Sequence, residues 1–496
     1  MQKEINTIIS SILSKDFKDI INSKDLFNIS RKLVKGDYSD EIIHSFLEIG
    51  HFPQVNTIFY QSKLQKEWLN SLFSLIIKSK YHTGILIQQR VKRYSANTLF
   101  QTINGNKIIK LSYQEAWNKI KTIGSSLIKL IEKFDQPVIG LYTPNSLESA
   151  LVDLTCLSFN IKIVPIPANA SKEHFKYIIK HASITHLFVG GAEQSNLLNT
   201  VLTELSSIST ILFPKTPHGN SDHILWKDFI QKYSNTNDAY LINRMQTIKM
   251  DDDATIMYTS GTTANPKGII FTQTNIITKR FARALALPDI NSKDTFLCYL
   301  PLYHTFGRYL EMMGTIFWGA TYTFAESPSF KSLLKNMQLT KPSIFISIPK
   351  RWLQLYELFT SDTSMNNSKT NEIVSLIKEN TGGNLRLGLS AAGYLDPDIF
   401  KFFQNNHIQL LSGYGMTEAT GGITMTSQND YVKDSVGIPL PGIKLKLGDD
   451  NELLLQGHYV ISYYHGKNKR PALVKGWFHT GDIFEEKNNH YFIVDR

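Results

Sequence analysis

Cysteine is scarce in this sequence, and long apolar runs are absent from it. The two cysteines, Cys156 and Cys298, lie far apart, which favours reduced core thiols over a disulfide or a metal site. The longest notable uncharged stretch, residues 312–325, is shorter than the ~18–20 apolar residues that cross a membrane. The short apolar segment at residues 8–13 runs directly into charged residues, unlike a secretory signal. These absences predict a soluble cytoplasmic protein in a reducing compartment.

Charged residues are also few, at 19% of the chain, and they give a net charge of +10. The hydrophobic fraction of 42% is enough for a large buried core and excludes a disordered chain. The basic clusters at residues 90–93 and 467–470 are short, and no zinc-finger, basic-zipper or RNA-recognition pattern accompanies them. We therefore expect a solvated basic face and no nucleic-acid partner. Peripheral contact with anionic lipid at the inner membrane face, or with an acidic cosubstrate, is the alternative.

Hydrophobic periodicity divides the chain into three regions. Residues 1–80 carry apolar residues at helical spacing, which predicts a helical extension of unassigned function. Residues 81–431 alternate short apolar strands with helices, which predicts parallel sheets covered by helices. Within this region Ser112 and Glu115 form a capping-box pattern that predicts a helix start. Residues 432–496 hold short strand-like runs separated by Gly and Asn turns, which predicts a small β-rich subdomain.

The strongest chemical signal is residues 257–268, MYTSGTTANPKG, between a predicted strand at 254–258 and a predicted helix at 275–285. Glycine permits positive φ and close backbone approach, so successive N–H groups can surround an anion. The hydroxyls add neutral donors, and the lysine adds a compact positive charge. The pattern G-x-x-x-x-G-K-[ST] is absent, so this is not a Walker A loop. We predict a polyphosphate site formed by Thr259, Ser260, Gly261, Thr262, Thr263 and Lys267.

Four further segments follow this loop. They are residues 300–308 (LPLYHTFGR), 389–395 (LSAAGYL), 412–418 (SGYGMTE) and 477–482 (WFHTGD). Together with the loop they resemble the signatures of the adenylate-forming (AMP-binding) superfamily, and among its members the long-chain fatty acyl-CoA synthetases. The likeness runs from about residue 81 to 496, in family order. It implies the large N-terminal α/β domain of these enzymes: two β/α subdomains with parallel-rich sheets and a small β-barrel-like subdomain, preceded here by the helical extension.

The resemblance assigns roles to individual residues. Tyr414 would stack on adenine, and Thr417 would offer its hydroxyl to the α-phosphate. Glu418 would supply a hard oxygen to Mg²⁺, with Thr259 as the second implied metal ligand. Asp482 corresponds to an aspartate that accepts both ribose hydroxyls, with an ordinary turn aspartate as the alternative. The remaining implied contacts to ATP are Ala392, Gly393, Gly415 and Arg496. A small-residue packing site is the alternative for the first two of these.

The acyl side of the site is implied by two segments. Residues 300–308 resemble the LPLxHxxxR element of long-chain synthetases, which places His304 where the acyl carboxylate meets ATP. His304 could orient or charge-balance that carboxylate, and a structural histidine is the alternative. Residues 348–352 (IPKRW) resemble the start of a helix typical of the same branch. The implied catalytic residues are Thr259, Lys267, His304 and Glu418.

The implied reaction is ATP-dependent activation of a carboxylic acid, in the first place a long-chain fatty acid, to an acyl-adenylate and then to acyl-CoA. Its cofactors and cosubstrates are ATP, Mg²⁺ and coenzyme A. Two alternatives stay open: another acid or a carrier-protein acceptor, and a non-catalytic nucleotide-binding remnant that acts as an interaction protein. Relatives continue past the position of residue 496 into a small lid domain with the adenylation lysine, so we expect this chain alone to be an impaired catalyst. Many relatives also carry glycine in place of Ala264, where alanine would cost about 1 kcal/mol if φ is positive.

Overall fold

The computed structural model describes most of the chain. The described residues are 2–14, 22–201, 204, 208–217, 223–233, 238–259, 265–360, 370–427, 431–466 and 468–495. Within them lie eighteen α-helices: α1 Gln2–Ser14, α2 Ser23–Lys35, α3 Asp40–Ile49, α4 Pro53–Tyr60, α5 Gln65–Lys78, α6 Thr83–Tyr94, α7 Tyr113–Ile131, α8 Leu147–Ser158, α9 Lys172–His181, α10 Ala192–Asn199, α11 Trp226–Tyr233, α12 Asp238–Gln246, α13 Gln273–Ala286, α14 Met313–Trp318, α15 Phe330–Thr340, α16 Pro349–Thr360, α17 Thr370–Thr381 and α18 Pro397–Asn405.

The strands form three larger sheets and two short antiparallel strand pairs. In chain order they are β1 Thr98–Asn104, β2 Lys107–Ser112, β3 Val138–Tyr142, β4 Lys162–Ile166, β5 His186–Val189, β6 Ser209–Leu212, β7 Ile224–Leu225, β8 Asp253–Tyr258, β9 Gly268–Thr272, β10 Thr295–Cys298, β11 Thr321–Phe324, β12 Ile344–Ser347, β13 Leu387–Ala391, β14 Gln409–Gly413, β15 Gly415–Met416, β16 Gly421–Gly422, β17 Thr424–Met425, β18 Ile438–Pro439, β19 Ile443–Leu447, β20 Glu452–Gly457, β21 Tyr463–Tyr464, β22 Arg470–Pro471, β23 Leu473–Val474, β24 Trp477–Lys487 and β25 His490–Asp495. A π-helix, Phe306–Met312, leads directly into α14.

The first sheet has the order β22-β21-β9-β8-β4-β3-β5-β6-β7. Its strands from β8 to β7 pair in parallel, whereas β9 runs antiparallel to β8. The second sheet has the order β14-β13-β12-β10-β11-β1-β2 and is parallel except for the β1–β2 hairpin. The third sheet, β19-β20-β24-β23 with β25 on β24, is antiparallel. The predicted α/β class with parallel-rich sheets and a small β-rich part is confirmed.

Local sequence signals placed several elements correctly. Ser112 Oγ accepts a hydrogen bond from the Glu115 N–H at 3.2 Å, and the Glu115 carboxylate accepts one from the Ser112 N–H at 2.8 Å. This is the predicted capping box, and it starts α7 because it satisfies two N–H groups that a helix leaves without partners. Ser146 caps α8 in the same way, by accepting from the Ser149 N–H at 3.1 Å. Both cysteines are free and buried, as expected.

The N-terminal helices share a core with the rest of the protein. Within them, Trp68 stacks on Phe59 with ring centroids 4.1 Å apart. The imidazole of His51 lies flat against Phe317 of α14, 3.9 Å between centroids, and its Nδ1 is 3.2 Å from the Phe317 carbonyl oxygen. Phe281 of α13 meets the same imidazole edge-on. The helical extension is therefore packed onto α13 and α14, while the boundaries at residues 80 and 431 stay predictions.

The expectation of a solvated basic face is wrong for Arg90. This side chain in α6 is fully buried, with its guanidinium 3.5 Å from the Glu48 carboxylate and 5.7 Å from the Tyr94 ring. Arg90, the first residue of the basic cluster at residues 90–93, faces inward because the helical extension covers α6. In the described part of the chain, no helix combines the length and the apolar character needed to span a bilayer. The cytoplasmic location stays a prediction.

One buried ion pair joins the first sheet to the second. Arg308, in the π-helix between β10 and β11, donates through Nε to Asp153 Oδ2 at 2.8 Å and through Nη2 to Asp153 Oδ1 at 2.5 Å. Its Nη1 donates to Thr255 Oγ1 of β8 at 2.8 Å. Arg308 is fully buried and Asp153 is 2% exposed. This two-point geometry satisfies both charges and fixes the π-helix against α8 and β8.

We predict that Asp153→Ala lowers the free energy of unfolding by about 3–5 kcal/mol, because it leaves the Arg308 charge buried without a counterion. Urea unfolding followed by circular dichroism measures this change. The matched control is Asp238→Ala, which removes an ion pair with Lys121 in which Asp238 is 62% exposed. That pair should contribute about 0–1 kcal/mol. Equal losses in the two variants would contradict the structural role of the buried pair.

Candidate active site

A cavity of about 670 Å³, here called the central cavity, opens where β13 and β14 end. These two strands are parallel neighbours, so the residues that follow them meet at the same edge of the second sheet. Asp482 of β24 reaches the cavity from the third sheet. Five of the residues predicted to bind ATP line it: Ala392, Gly393, Tyr414, Gly415 and Asp482. The structure thus brings together predicted residues from three separate segments.

Tyr414 is held in place by both its side chain and its backbone. Its hydroxyl donates to Asp482 Oδ2 at 2.5 Å, and its ring meets Phe484 edge-on with centroids 4.9 Å apart. The Ile423 N–H donates to the Tyr414 carbonyl oxygen at 2.7 Å. Asp482 is 5% exposed, so its carboxylate is a nearly buried acceptor at the cavity wall. The pair combines an aromatic face with a carboxylate, the two groups that the sequence assigned to adenine and ribose.

Backbone geometry explains two of the small residues at this cavity. Gly415 pairs with Gly422 in the β15–β16 hairpin, and a Cβ on Gly415 would lie 2.5 Å from the Gly421 carbonyl oxygen. Only glycine allows this approach. Ala392 has φ of 66°, in the left-handed region that costs an L-residue about 1–2 kcal/mol. A strained residue directly after β13 turns the chain along the cavity wall.

The predicted phosphate loop joins two antiparallel neighbours of the first sheet. Tyr258 of β8 pairs with Gly268 of β9, and the Thr259 N–H donates to the Lys267 carbonyl oxygen at 3.3 Å. Thr259 is half-buried and Lys267 is exposed. Several predicted residues lie outside the described part of the chain: Ser260, Gly261, Thr262, Thr263, Ala264 and Arg496. The two described ends of the loop are therefore held together by the pairing of β8 with β9.

Glu418 lies beside this loop, although 150 residues separate it from Gly268 in sequence. It is in the short 3-10 helix Thr417–Ala419 and is 9% exposed. The Tyr464 hydroxyl donates to Glu418 Oε1 at 3.2 Å, and Lys267 Nζ is 5.9 Å from the centroid of the Tyr464 ring. Burial, together with the nearby Glu418 charge, raises the pKa of Tyr464 well above its usual value, so the hydroxyl stays protonated at neutral pH.

The segment with His304 is fixed by Asn145. The Asn145 amide donates to the Leu300 carbonyl oxygen at 2.7 Å and accepts from the Leu302 N–H at 2.9 Å. His304 itself is exposed, and its ring lies 4.8 Å from that of Tyr303. Neighbouring protein atoms nevertheless displace enough water to lower the pKa of His304. A neutral imidazole at pH 7 can orient a carboxylate through a hydrogen bond, but it would not balance the carboxylate charge.

The His304 segment also lies next to the segment with Glu418. A Cβ on Gly421 would be 3.6 Å from Thr305 Oγ1, the residue after His304. The predicted helix near residue 349 is present as α16, but its Trp352 is fully buried and packs edge-on against Phe345 and Phe403. Trp352 therefore belongs to the core under β12 and β13.

Sequence motifs did not identify Tyr464, Asn145 or two histidines, His181 and His465, which contact the strands on either side of the phosphate loop. His181 Nδ1 lies 2.8 Å from the Tyr258 hydroxyl, and His465 Nε2 lies 2.9 Å from the His181 carbonyl oxygen. No local pattern marks these residues, because contacts between distant parts of the sequence bring them to the site. Only the pairing of β21 with β9, which joins Tyr464 to Ile269, would have revealed Tyr464.

The described residues offer few side chains that could bind a metal ion. No group of three or more His, Cys, Asp or Glu side chains that could hold a metal ion occurs among the described residues. Mg²⁺ often uses only one or two carboxylates, with waters and substrate phosphates completing its shell. The nearly buried Glu418 carboxylate beside the phosphate loop fits that mode. The residues present thus suit a metal that arrives with a polyphosphate.

A protein-family model described as AMP-binding enzyme matches residues 87–464. This chain belongs to the AMP-binding enzyme family. The match includes the phosphate loop, His304, Ala392, Tyr414 and Glu418, and the family is the one that the sequence motifs predicted.

Curated relatives carry names from fatty-acid activation. The chain is 27% identical over 426 residues to the peroxisomal long chain acyl-CoA synthetase 7 of Arabidopsis thaliana, covering 75% of this chain and 59% of that protein. It is 26% identical over 408 residues to the long-chain-fatty-acid–CoA ligase FadD15 of Mycobacterium bovis, covering 74% of this chain and 66% of that protein. The chain spans less than two thirds of the length of these relatives.

Solved structures support the fold. The N-terminal domain of FACL13 from Mycobacterium tuberculosis superposes with a TM-score of 0.67 at 17% identity, covering 84% of this chain and 99% of that one. The anthranilate CoA ligase AuaEII, in complex with anthranoyl-AMP, superposes with a TM-score of 0.70 at 19% identity, covering 84% of this chain and 78% of that one. The described α/β architecture is that of adenylate-forming enzymes.

We predict that Ala392→Gly stabilises the protein by about 1 kcal/mol, because glycine adopts the left-handed φ of this position without the Cβ penalty. The free energy of unfolding from urea titration measures the change. Ala391→Gly is the control: Ala391 ends the regular β13 strand, where glycine should destabilise by roughly 0.5–1 kcal/mol. If both substitutions destabilise equally, the strain assigned to Ala392 is wrong.

Proposed function

We propose that this protein activates a long-chain fatty acid with ATP and Mg²⁺, forming an acyl-adenylate on the way to acyl-CoA. The observation that carries the proposal is the central cavity, where Tyr414 and Asp482 meet the small residues Ala392, Gly393 and Gly415. Its volume of about 670 Å³ lies within the range of small-molecule sites. The names of the curated relatives support the fatty acid and coenzyme A as substrates.

In the proposed site the nucleotide extends from the central cavity to the phosphate loop. The adenine would lie against the Tyr414 ring, with the ribose hydroxyls donating to Asp482. Residues 414–418 then lead directly to the phosphate side, where Glu418 accepts from the Tyr464 hydroxyl and Lys267 lies over the Tyr464 ring. Bound Mg²⁺ would neutralise phosphate charge, held by Glu418 and, through its hydroxyl, Thr259. A five-residue stretch thus links the adenine end to the phosphate end.

The proposed chemistry needs no enzyme nucleophile. A carboxylate oxygen of the fatty acid forms a bond to the α-phosphorus of ATP, the bond from that phosphorus to the bridging oxygen breaks, and pyrophosphate leaves with the electron pair. In the second step the coenzyme A thiolate attacks the acyl carbon and AMP leaves. The protein positions the reactants and stabilises charge. His304 would orient the incoming carboxylate from the segment that Asn145 holds.

Asp482→Ala should weaken ATP binding by roughly 1.5–3 kcal/mol, because it removes the charged acceptor for the ribose hydroxyls. Isothermal titration calorimetry on the folded variant measures the affinity. Asp434→Ala is the matched control: Asp434 lines the same cavity, but its carboxylate accepts from the exposed Tyr394 hydroxyl. Unchanged affinity in Asp482→Ala, or an equal loss in the control, would refute the ribose assignment.

The acyl substrate can be tested by chain length. Non-hydrolysable acyl-adenylate analogues should bind more tightly as the tail grows, by up to about 0.8 kcal/mol for each buried methylene, until the acyl site is full. Competition against ATP gives the affinities, and ATP–pyrophosphate exchange with the same acids gives the activity. A preference for acetate-like or benzoate-like analogues would contradict the fatty-acid assignment. Binding of none of the analogues would instead favour the non-catalytic alternative.

A further inference from the structure

Residues 461–465 contact Glu418 through both backbone and side chain. The Ile461 N–H donates to the Glu418 carbonyl oxygen at 2.9 Å. Three residues later, the Tyr464 hydroxyl donates to Glu418 Oε1 at 3.2 Å. Because one short segment holds the residue at two points, the position and the direction of the Glu418 carboxylate are set together.

The same segment is attached to the phosphate loop. Tyr464 pairs with Ile269 in the first sheet, and the His465 N–H donates to the Gly268 carbonyl oxygen at 2.7 Å. The ring of Tyr464 lies 5.9 Å from the Lys267 ammonium, within the distance at which a cation is attracted to an aromatic face. The segment therefore ties the C-terminal base of the loop to the residue proposed to bind the metal.

The two groups that Tyr464 contacts, the Glu418 carboxylate and the Lys267 ammonium, both need a neighbour that restricts their position. A carboxylate that binds a metal gains affinity when a second group holds it in the productive orientation. Lysine has a flexible four-carbon stem, and Lys267 is exposed, so its ammonium samples many positions unless a surface restricts it. Tyr464 contacts both groups at once, with its hydroxyl on one and its ring on the other.

We propose that Tyr464 is a positioning residue for ATP activation: its hydroxyl orients Glu418 toward the Mg²⁺ of MgATP, and its ring holds Lys267 at the same polyphosphate. The proposal rests on the proposed function, since it assumes that Glu418 and Lys267 act on ATP. The proposal assigns separate roles to the hydroxyl and to the ring of Tyr464. Each role can therefore be tested by a substitution that removes only that group.

The test is calorimetric titration of the 496-residue chain with ATP, once in Mg²⁺ and once in EDTA. Tyr464→Phe keeps the ring and removes only the hydroxyl. It should weaken MgATP binding about tenfold while leaving the affinity for metal-free ATP unchanged. The Mg²⁺ concentration for half-maximal ATP–pyrophosphate exchange should rise by a similar factor. A merely structural role would weaken the binding of both forms of ATP together.

Removing the ring gives the second measurement. Tyr464→Leu should also weaken metal-free ATP binding, by roughly threefold, because Lys267 is no longer restricted. In a Lys267→Ala background this additional loss should vanish, since the ring then has no ammonium to hold. The matched control is Tyr463→Phe, a hydroxyl removed from the neighbouring residue, which is 46% exposed. It should behave as wild type in every measurement.

A double-mutant cycle with Glu418→Gln separates the two proposals. If Tyr464 acts through Glu418, Tyr464→Phe should add nothing to the loss caused by Glu418→Gln. Additive losses, or a Tyr464→Phe variant with wild-type MgATP affinity, would overturn the positioning role and leave the proposed function intact. Glu418→Gln with unchanged Mg²⁺ dependence would show instead that Glu418 does not bind the metal, and the positioning proposal would fall with that part of the function.

Discussion

The arrangement of the site depends on the buried pair of Arg308 and Asp153. Arg308 follows β10 of the second sheet, whereas Asp153 lies in α8 and Thr255 in β8, both packed with the first sheet. The phosphate loop begins at the end of β8, and His304 stands one turn before Arg308. A shift of one sheet against the other would break three hydrogen bonds at a fully buried charge, which is strongly unfavourable. The guanidinium thus fixes the distance between the His304 segment and the predicted phosphate loop.

Much of the fold could be predicted from the sequence because its signals are local. The capping box of Ser112 and Glu115 determined where α7 starts, and the apolar run at residues 254–258 gave β8. The order of five motifs also identified the family, since each motif is a contiguous segment. The parallel sheets followed from the alternation of strands with helices. In each case the residues that specify the element are neighbours in the chain.

The contacts that complete the site could not be read in this way. The hydrogen bond between Tyr414 and Asp482 spans 68 residues and joins the segment after β14 to the third sheet, and the contact of Tyr464 with Glu418 spans 46 residues. Arg90 was wrongly placed in solvent because its burial depends on the helical extension packed over α6. These features result from tertiary packing, which overrides the tendency of a charged residue to stay exposed. Motif spacing carries no information about them.

Three basic side chains are buried close to the central cavity. Lys279, Arg280 and Arg283 of α13 are all at most 4% exposed, and burial lowers the pKa of Arg280 to about 9 and that of Arg283 to about 10. The charge of Arg283 also lowers the pKa values of Lys279 and Arg280, so the basic side chains disfavour one another's charged forms. The Lys279 ammonium donates to the Gly422 carbonyl oxygen, and Gly422 pairs with Gly415 beside Tyr414. Burial disfavours the charged forms of these side chains, as their lowered pKa values indicate, and the triphosphate proposed to bind between Tyr414 and Lys267 would offset part of that cost.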